Sequence, residues 1–187
     1  RMARRNAIIR KLPAVETLGS TTMICSDKTG TLTKNEMTVK AVYDGQHGFE
    51  VTGSGYDPEG EVLHDWEPTD EESLEKLHTL LRIGLLCNES RIVEEDGQIG
   101  IDGDPTEGAL IISAAKGGLN LEDEKKNYPQ VGIIPFESER GFMATLHKQK
   151  DGMVIFLKGA PERVLDMCQT FPSGEALDRE RVVKTGE

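Results

Sequence analysis

A short apolar run, Thr22-Met23-Ile24-Cys25, leads straight into Ser26-Asp27-Lys28-Thr29-Gly30-Thr31-Leu32-Thr33. The run predicts a buried strand, and the residues after it predict a loop at the strand's carboxyl end. In open α/β sheets, ligands bind outside the carboxyl ends of strands. An Asp delivered there can serve as a nucleophile, a metal ligand, or both. Lys28 puts a positive charge beside Asp27, and Gly30 lets backbone come close to a phosphate. Thr29, Thr31 and Thr33 add hydroxyls and backbone donors. Asp, Gly and Thr are also turn formers, so a lone Asp-x-x-Gly reads as a turn.

The composition narrows the partners. The 187 residues suit one or two domains, and 36% of them are hydrophobic, enough for a packed core. No apolar run reaches the ~18–20 residues of a transmembrane helix, and no signal peptide is visible. Cys25, Cys87 and Cys168 are odd in number and widely spaced, which fits reduced cytosolic thiols. No Cys/His spacing suggests zinc. The net charge of −11 argues against nucleic acid as a partner. Residues 1–11 hold five basic residues and no acid, leaving 17 basic against 33 acidic residues, a charge of −16, for the remainder. An acidic body repels nucleotide phosphates at long range, so a nucleotide site here must concentrate Lys and Arg locally.

Along the chain, residues 1–12 form a short basic amphipathic segment, readable as a solvated helix end or as the flank of a membrane helix. Val39, Ala41 and Tyr43 alternate as a strand, Asp44-Gly45 turns, and a second strand follows near Phe49-Glu50-Val51. Thr69 with Glu72 suggests a capping box, and Leu74, Leu77, Leu81 and Leu85 predict a core helix ending near Cys87-Asn88. Arg91-Ile92-Val93 and Gln98 to Ile101 predict a hairpin about Asp96-Gly97. Asp104 suits an N-cap and Pro105 a first turn, with Glu107 completing a capping box and Gly117-Gly118 stopping the helix. A polar helix is expected near 121–127. Strands follow at 131–136, 142–147 and 153–157, with Asp151-Gly152 as a turn. Lys158-Gly159-Ala160-Pro161 opens a helix with Val164, Leu165 and Met167 inward. Residues 171–187 are polar and without an evident role.

Asp27-Lys28-Thr29-Gly30-Thr31-Leu32-Thr33 resembles the phosphorylation signature of the P-type ion-pumping ATPases. Asp104-Pro105-Thr106-Glu107-Gly108, Pro135-Phe136-Glu137-Ser138-Glu139-Arg140 and Lys158-Gly159-Ala160-Pro161 resemble nucleotide-domain motifs of the type II pumps, in the expected order. The resemblance spans nearly the whole chain. It implies that Asp27 attacks the γ-phosphate of ATP to form an aspartyl phosphate. It places Lys28, Thr29, Gly30 and Thr31 at the phosphate, and Mg2+ on Asp27 and Thr29. It assigns Thr106, Glu107, Phe136, Ser138, Arg140, Lys158 and Gly159 to the nucleotide. The implied fold is α/β: a mainly antiparallel sheet flanked by helices, inserted in an incomplete haloacid-dehalogenase-like phosphorylation domain. The domains are then 1–37, the start of the phosphorylation domain, and 38–187, the nucleotide-binding domain. ATP or ADP and the remaining pump domains are the implied partners. The whole pump would sit in a membrane, with this segment on the cytoplasmic side.

The residue types suit these roles. Phe136 at a strand end can stack on adenine, although a core Phe is as good a reading of it alone. Glu107 can accept from the adenine amino group or serve its capping box. Arg140 offers a planar guanidinium to phosphate. Lys158, beside small Gly159, can reach into a pocket that backbone also lines, or be an ordinary surface Lys before a helix. Two departures stand out. Haloacid-dehalogenase-type phosphatases usually carry a second Asp where this chain has Thr29, which disfavours a stand-alone phosphatase. Many type II pumps have Lys where this chain has Gly141, so one phosphate-contacting charge is missing. The later acids that complete the family's magnesium site do not occur. Isolated, such a chain is expected to bind nucleotide with little or no turnover. A non-catalytic nucleotide-binding or regulatory domain is the remaining alternative.

Overall fold

The computed structural model describes residues 20–23, 25–28, 31–34, 36–45, 47–65, 67–95, 97–171 and 174–186. The chain divides into two compact units, Arg1–Asn35 and Glu36–Glu187. The basic segment at 1–12, together with Ile24, Thr29, Gly30 and Trp66, lies outside the described residues.

In the first unit the described residues of the expected strand at 22–25 are not in strand conformation. Thr22, Met23 and Cys25 are extended or bent and exposed, with Met23 78% accessible. A strand buried on both faces needs neighbours, and no described strand pairs with this one. What forms locally is a turn, closed by Leu32 N and Thr33 N donating to Lys28 O at 3.0 and 3.1 Å.

Among the described residues the second unit carries three antiparallel sheets rather than the one expected. The first runs in the order β1 (Ala41–Tyr43), β2 (Gly48–Val51), β3 (Val62–His64) and β4 (Glu67–Pro68). The second is a hairpin of β5 (Arg91–Glu95) and β6 (Gln98–Asp102). The third is β7 (Gln130–Glu137), β8 (Phe142–Gln149) and β9 (Gly152–Gly159).

One helix ties the unit together. Helix α1 (Glu71–Leu86) puts Leu77, Leu81 and Leu85 against Phe49, Val51 and Val62 of the first sheet. Ile111 and Ala114 of helix α2 (Pro105–Lys116) complete that core. At the far end of α1, Leu86 and Cys87 pack on Met143 and Phe156 of the third sheet. A single amphipathic helix thus spans two cores; its Leu spacing predicts the first of them.

The caps of the helices are partly as expected. Asp70, not Thr69, is the N-cap of α1: its carboxylate accepts from Ser73 N at 3.0 Å and Ser73 Oγ at 2.8 Å. Thr69 Oγ1 donates instead to Val62 O. A carboxylate adjacent to the first turn takes the cap when the neighbouring hydroxyl is engaged by a strand. Asp104 caps α2 through Thr106 N and Glu107 N, with Pro105 next and Gly117 at its end. Helix α3 (Leu121–Asn127) forms where expected, and its Glu124 pairs with Arg82 of α1. Helix α4 (Pro161–Met167) fully buries no residue: Val164 and Leu165 are half-buried on its inner side, while Met167 is 47% exposed, against the inward placement expected of it. Seven residues leave too short a helix to turn every apolar side chain to the core. Helix α5 (Arg179–Gly186) gives the polar C-terminal stretch a structure, and Arg179 pairs with Asp166 of α4 at 3.1 Å.

Candidate functional site

Strand register gathers several of the expected residues at one end of the third sheet. Phe142 is paired with Glu137 on one side and Gly159 on the other, and Met143 is paired with Lys158. The β7–β8 ladder is irregular between Ile134 and Glu137, so Phe136 sits in a bulge. Its ring is 55% exposed at a strand edge. An exposed aromatic beside a row of ladder residues is available as a stacking surface.

Lys158 and Glu107 meet there. Lys158 Nζ donates to Glu107 Oε1 at 2.7 Å, with the side chains 21% and 15% exposed. The other oxygen, Oε2, accepts from Ser90 Oγ at 2.8 Å, Ser90 N at 3.0 Å and Glu89 N at 3.1 Å. Burial alone pushes the Glu107 carboxyl up, but the donors from Lys158, Ser90 and Glu89, with the Lys158 charge, outweigh it and hold the group below the usual value. The expected capping box is therefore only half formed: Glu107 faces the 89–90 strap, and Asp104 N donates to Ser90 Oγ at 2.9 Å. The Asp104 carboxyl is also lowered, first by hydrogen bonding with Thr106 and further by the Lys158 charge.

The other expected residues are less enclosed. Thr106 is exposed, and its hydroxyl donates to Met37 Sδ. Ser138 is exposed in the turn after β7. Arg140 donates to Pro135 O at 2.9 Å and Glu137 Oε2 at 3.0 Å, and its guanidinium lies 5.8 Å from the Phe142 ring centre. Gly141 adopts φ +74°, which L side chains rarely adopt, and a Cβ there would meet Arg163 Cγ at 3.1 Å.

In the first unit, Asp27, Lys28 and Thr31 are exposed, while Thr29 and Gly30 fall outside the described residues. Among the described residues no three His, Cys, Asp or Glu side chains converge as a metal site. No described helix is long and apolar enough to cross a membrane. Cys25, Cys87 and Cys168 are free, and burial raises the Cys87 thiol.

Asn88 and Ser90 were not among the expected site residues. Asn88 Nδ2 donates to Gly84 O and Glu107 O, and its Oδ1 accepts from Ser90 N. Their turn-forming chemistry was visible, but their partner lies 17 or more residues away. A cavity of about 800 Å³ is also lined by Asn88, Glu89 and Ser90, with Leu121, Tyr128 and His147 among its other walls. It includes none of Glu107, Phe136 and Lys158, so its size does not mark it as the site those residues form.

Residues 76–182 match the family described as P-type ATPase, cytoplasmic domain N. The chain belongs to the P-type ATPases. It is 49% identical over 176 residues to the cation-transporting ATPase pma1 of Synechocystis, which covers 91% of this chain and 19% of that protein. It is 44% identical over 163 residues to a calcium-transporting ATPase of Bacillus subtilis, covering 87% and 18%. It is 41% identical over 184 residues to the human calcium-transporting ATPase type 2C member 1, covering 95% and 19%. The chain thus spans about a fifth of the length of these P-type relatives. Its sheets and helices constitute a cytoplasmic α/β part of such a protein.

Proposed function

We propose that this chain is the nucleotide-holding part of an ion-pumping ATPase that couples ATP hydrolysis, through an aspartyl phosphate, to cation transport across a membrane. Residues 38–187 hold the nucleotide. Residues 1–37 begin the phosphorylation domain, into whose haloacid-dehalogenase-like fold the nucleotide domain is inserted. The segment lies on the cytoplasmic side.

The observation that carries this reading is the Lys158–Glu107 pair at the sheet end that also presents the exposed Phe136 ring. The residue set fits a nucleotide: an aromatic face for the base, a hydrogen-bond acceptor for its amino group, and Arg140 and Lys158 as local cations in an acidic chain. Stacking of this kind contributes about 1–3 kcal/mol per base. Thr106, Ser138 and Gly159 complete the wall by their position near these groups.

Asp27 is the nucleophile of the whole pump. Its carboxylate oxygen attacks the γ-phosphorus, the bond to the ADP oxygen breaks, and ADP leaves. Lys28, Thr29, Gly30 and Thr31 would bind the transferred phosphoryl group. Mg2+ would supply charge neutralisation for that transfer. Asp27 and Thr29 would hold part of its shell. The isolated chain binds ATP or ADP with little or no turnover.

Titration with ATP followed by amide NMR tests the reading. Shifts centred on Phe136, Arg140 and Lys158 are expected. No shift at millimolar nucleotide overturns it.

A further inference from the structure

We propose that Ser90 is a positioning residue of the nucleotide site, anchoring one oxygen of Glu107 so that the other stays aimed at Lys158. This rests on the nucleotide reading above. The two carboxylate oxygens of Glu107 divide the work. Oε2 takes three donors from the 89–90 strap, two of them from Ser90, while Oε1 takes Lys158 at 2.7 Å. An ionised carboxylate whose one oxygen is held by three donors has little freedom to rotate.

The Ser90 hydroxyl is itself oriented. It accepts from Asp104 N at 2.9 Å, so its proton must point elsewhere. Glu107 Oε2 at 2.8 Å is the near acceptor, and Asp104 O at 3.4 Å is the far one. Asn88 supports the strap from beneath by accepting from Ser90 N at 2.9 Å and donating to Glu107 O at 3.0 Å. Gly103 leaves the room for this: a Cβ there would collide with Ser90 Oγ and stand 2.7 Å from Ser90 Cβ. The ionisable groups that face Glu107 are Lys158 from β9, Asp104 at the start of α2 and the Cys87 thiol at the end of α1.

The consequence is a preorganised lysine. Lys158 carries a long flexible stem, and its ammonium is localised only by its partner. With Glu107 locked, Lys158 is held at one place before nucleotide arrives, so less ordering is left to the binding step. Without the Ser90 hydroxyl, Glu107 keeps its charge but loses the shortest of its three Oε2 donors, and the two backbone N–H groups that remain hold it less firmly.

The test compares wild type, Ser90→Ala and Ser90→Thr in this same chain. Two readouts are taken: the titration midpoint of the Glu107 side-chain carboxyl by carbon-13 NMR, and the Kd for ATP at neutral pH. Ser90→Ala is expected to move the Glu107 midpoint up toward the ordinary glutamate value and to weaken ATP about tenfold, the effect of one charge-assisted hydrogen bond. Ser90→Thr, which keeps a hydroxyl, is expected to recover both in part. A serine that serves folding alone lowers the melting temperature and leaves both readouts in place, which overturns the proposal. Wild-type binding with unchanged affinity in Ser90→Ala overturns the proposal alone. Absence of ATP binding by the wild type overturns the nucleotide reading and the proposal with it.

Discussion

Gly159 lies so close to Phe142 across the β8–β9 ladder that a Cβ on it would stand 2.6 Å from Phe142 Cβ and 2.7 Å from Phe142 Cα. The same Cβ would collide with Gly141 O. These are backbone and near-backbone atoms, so rotation of a side chain does not relieve the clash. The close approach sits one residue after Lys158. Gly159→Ala is expected to destabilise the chain by about 1–3 kcal/mol, as overpacking does. Chemical denaturation measures it, and an unchanged midpoint would show that the ladder can open there.

The Glu107–Lys158 pair has a stability signature of its own. Glu107→Gln leaves the Lys158 ammonium, 21% exposed, without its carboxylate, at a cost of about 1–3 kcal/mol. The folded-state carboxyl of Glu107 lies below its ordinary value. Its contribution is therefore fully present above the unfolded value of about 4 and is lost as the pH falls below that, through the folded value. Urea melts at neutral and at acidic pH should show a smaller acid loss in Glu107→Gln than in wild type.

Phe136 separates binding from folding. Its ring is 55% exposed, so Phe136→Ala removes little buried surface and should change stability by less than about 1 kcal/mol. Loss of stacking should weaken ATP about tenfold or more. Calorimetric titration beside a thermal melt decides it: equal ATP affinity in the variant would remove Phe136 from the site.

Asp27→Asn should leave the melting of the second unit and its nucleotide affinity as they are, since Asp27 is exposed in the other unit. Carried in a full-length pump, the same change should abolish the acid-stable phosphoenzyme formed from labelled ATP. Persisting label on the protein would place the nucleophile elsewhere.

Leu77 is fully buried between the first sheet and α2. Leu77→Ala should cost about 2–5 kcal/mol. Because α1 also packs on the third sheet through Leu86 and Cys87, amide protection should fall in both cores. Loss confined to the first sheet would mean that the two cores open independently.

Much of the second unit was readable in advance because its signals are local. The Leu74–Leu85 spacing marks α1, Asp104-Pro105 opens α2, Gly117 closes it, and Gly97 lies in the β5–β6 turn. The failures share a cause. Thr69 and Asp70 both suit a cap, and the choice fell to Asp70 because β3 engages the Thr69 hydroxyl. The apolar run at 22–25 looks like a strand, yet strands exist only with partners. The single sheet expected for the strands became three, since period-2 patterning says which residues alternate but not which strands pair.

The motif Asp27 to Thr33 and the order of the later motifs were enough to read the P-type family, since those matches lie within short continuous stretches. Capping and periodicity likewise act within a few residues, so element type and most helix ends follow from neighbouring residues alone. The partner of Glu107 does not. A capping box and a lysine pair are equally compatible with that residue in one dimension. Packing of α2 against the 88–90 strap, together with the β8–β9 register that places Lys158, brings donors from 17 and 51 residues away to the two oxygens of one carboxylate. Hydrogen bonds follow distance and direction in space, so that choice is made only when the chain has folded.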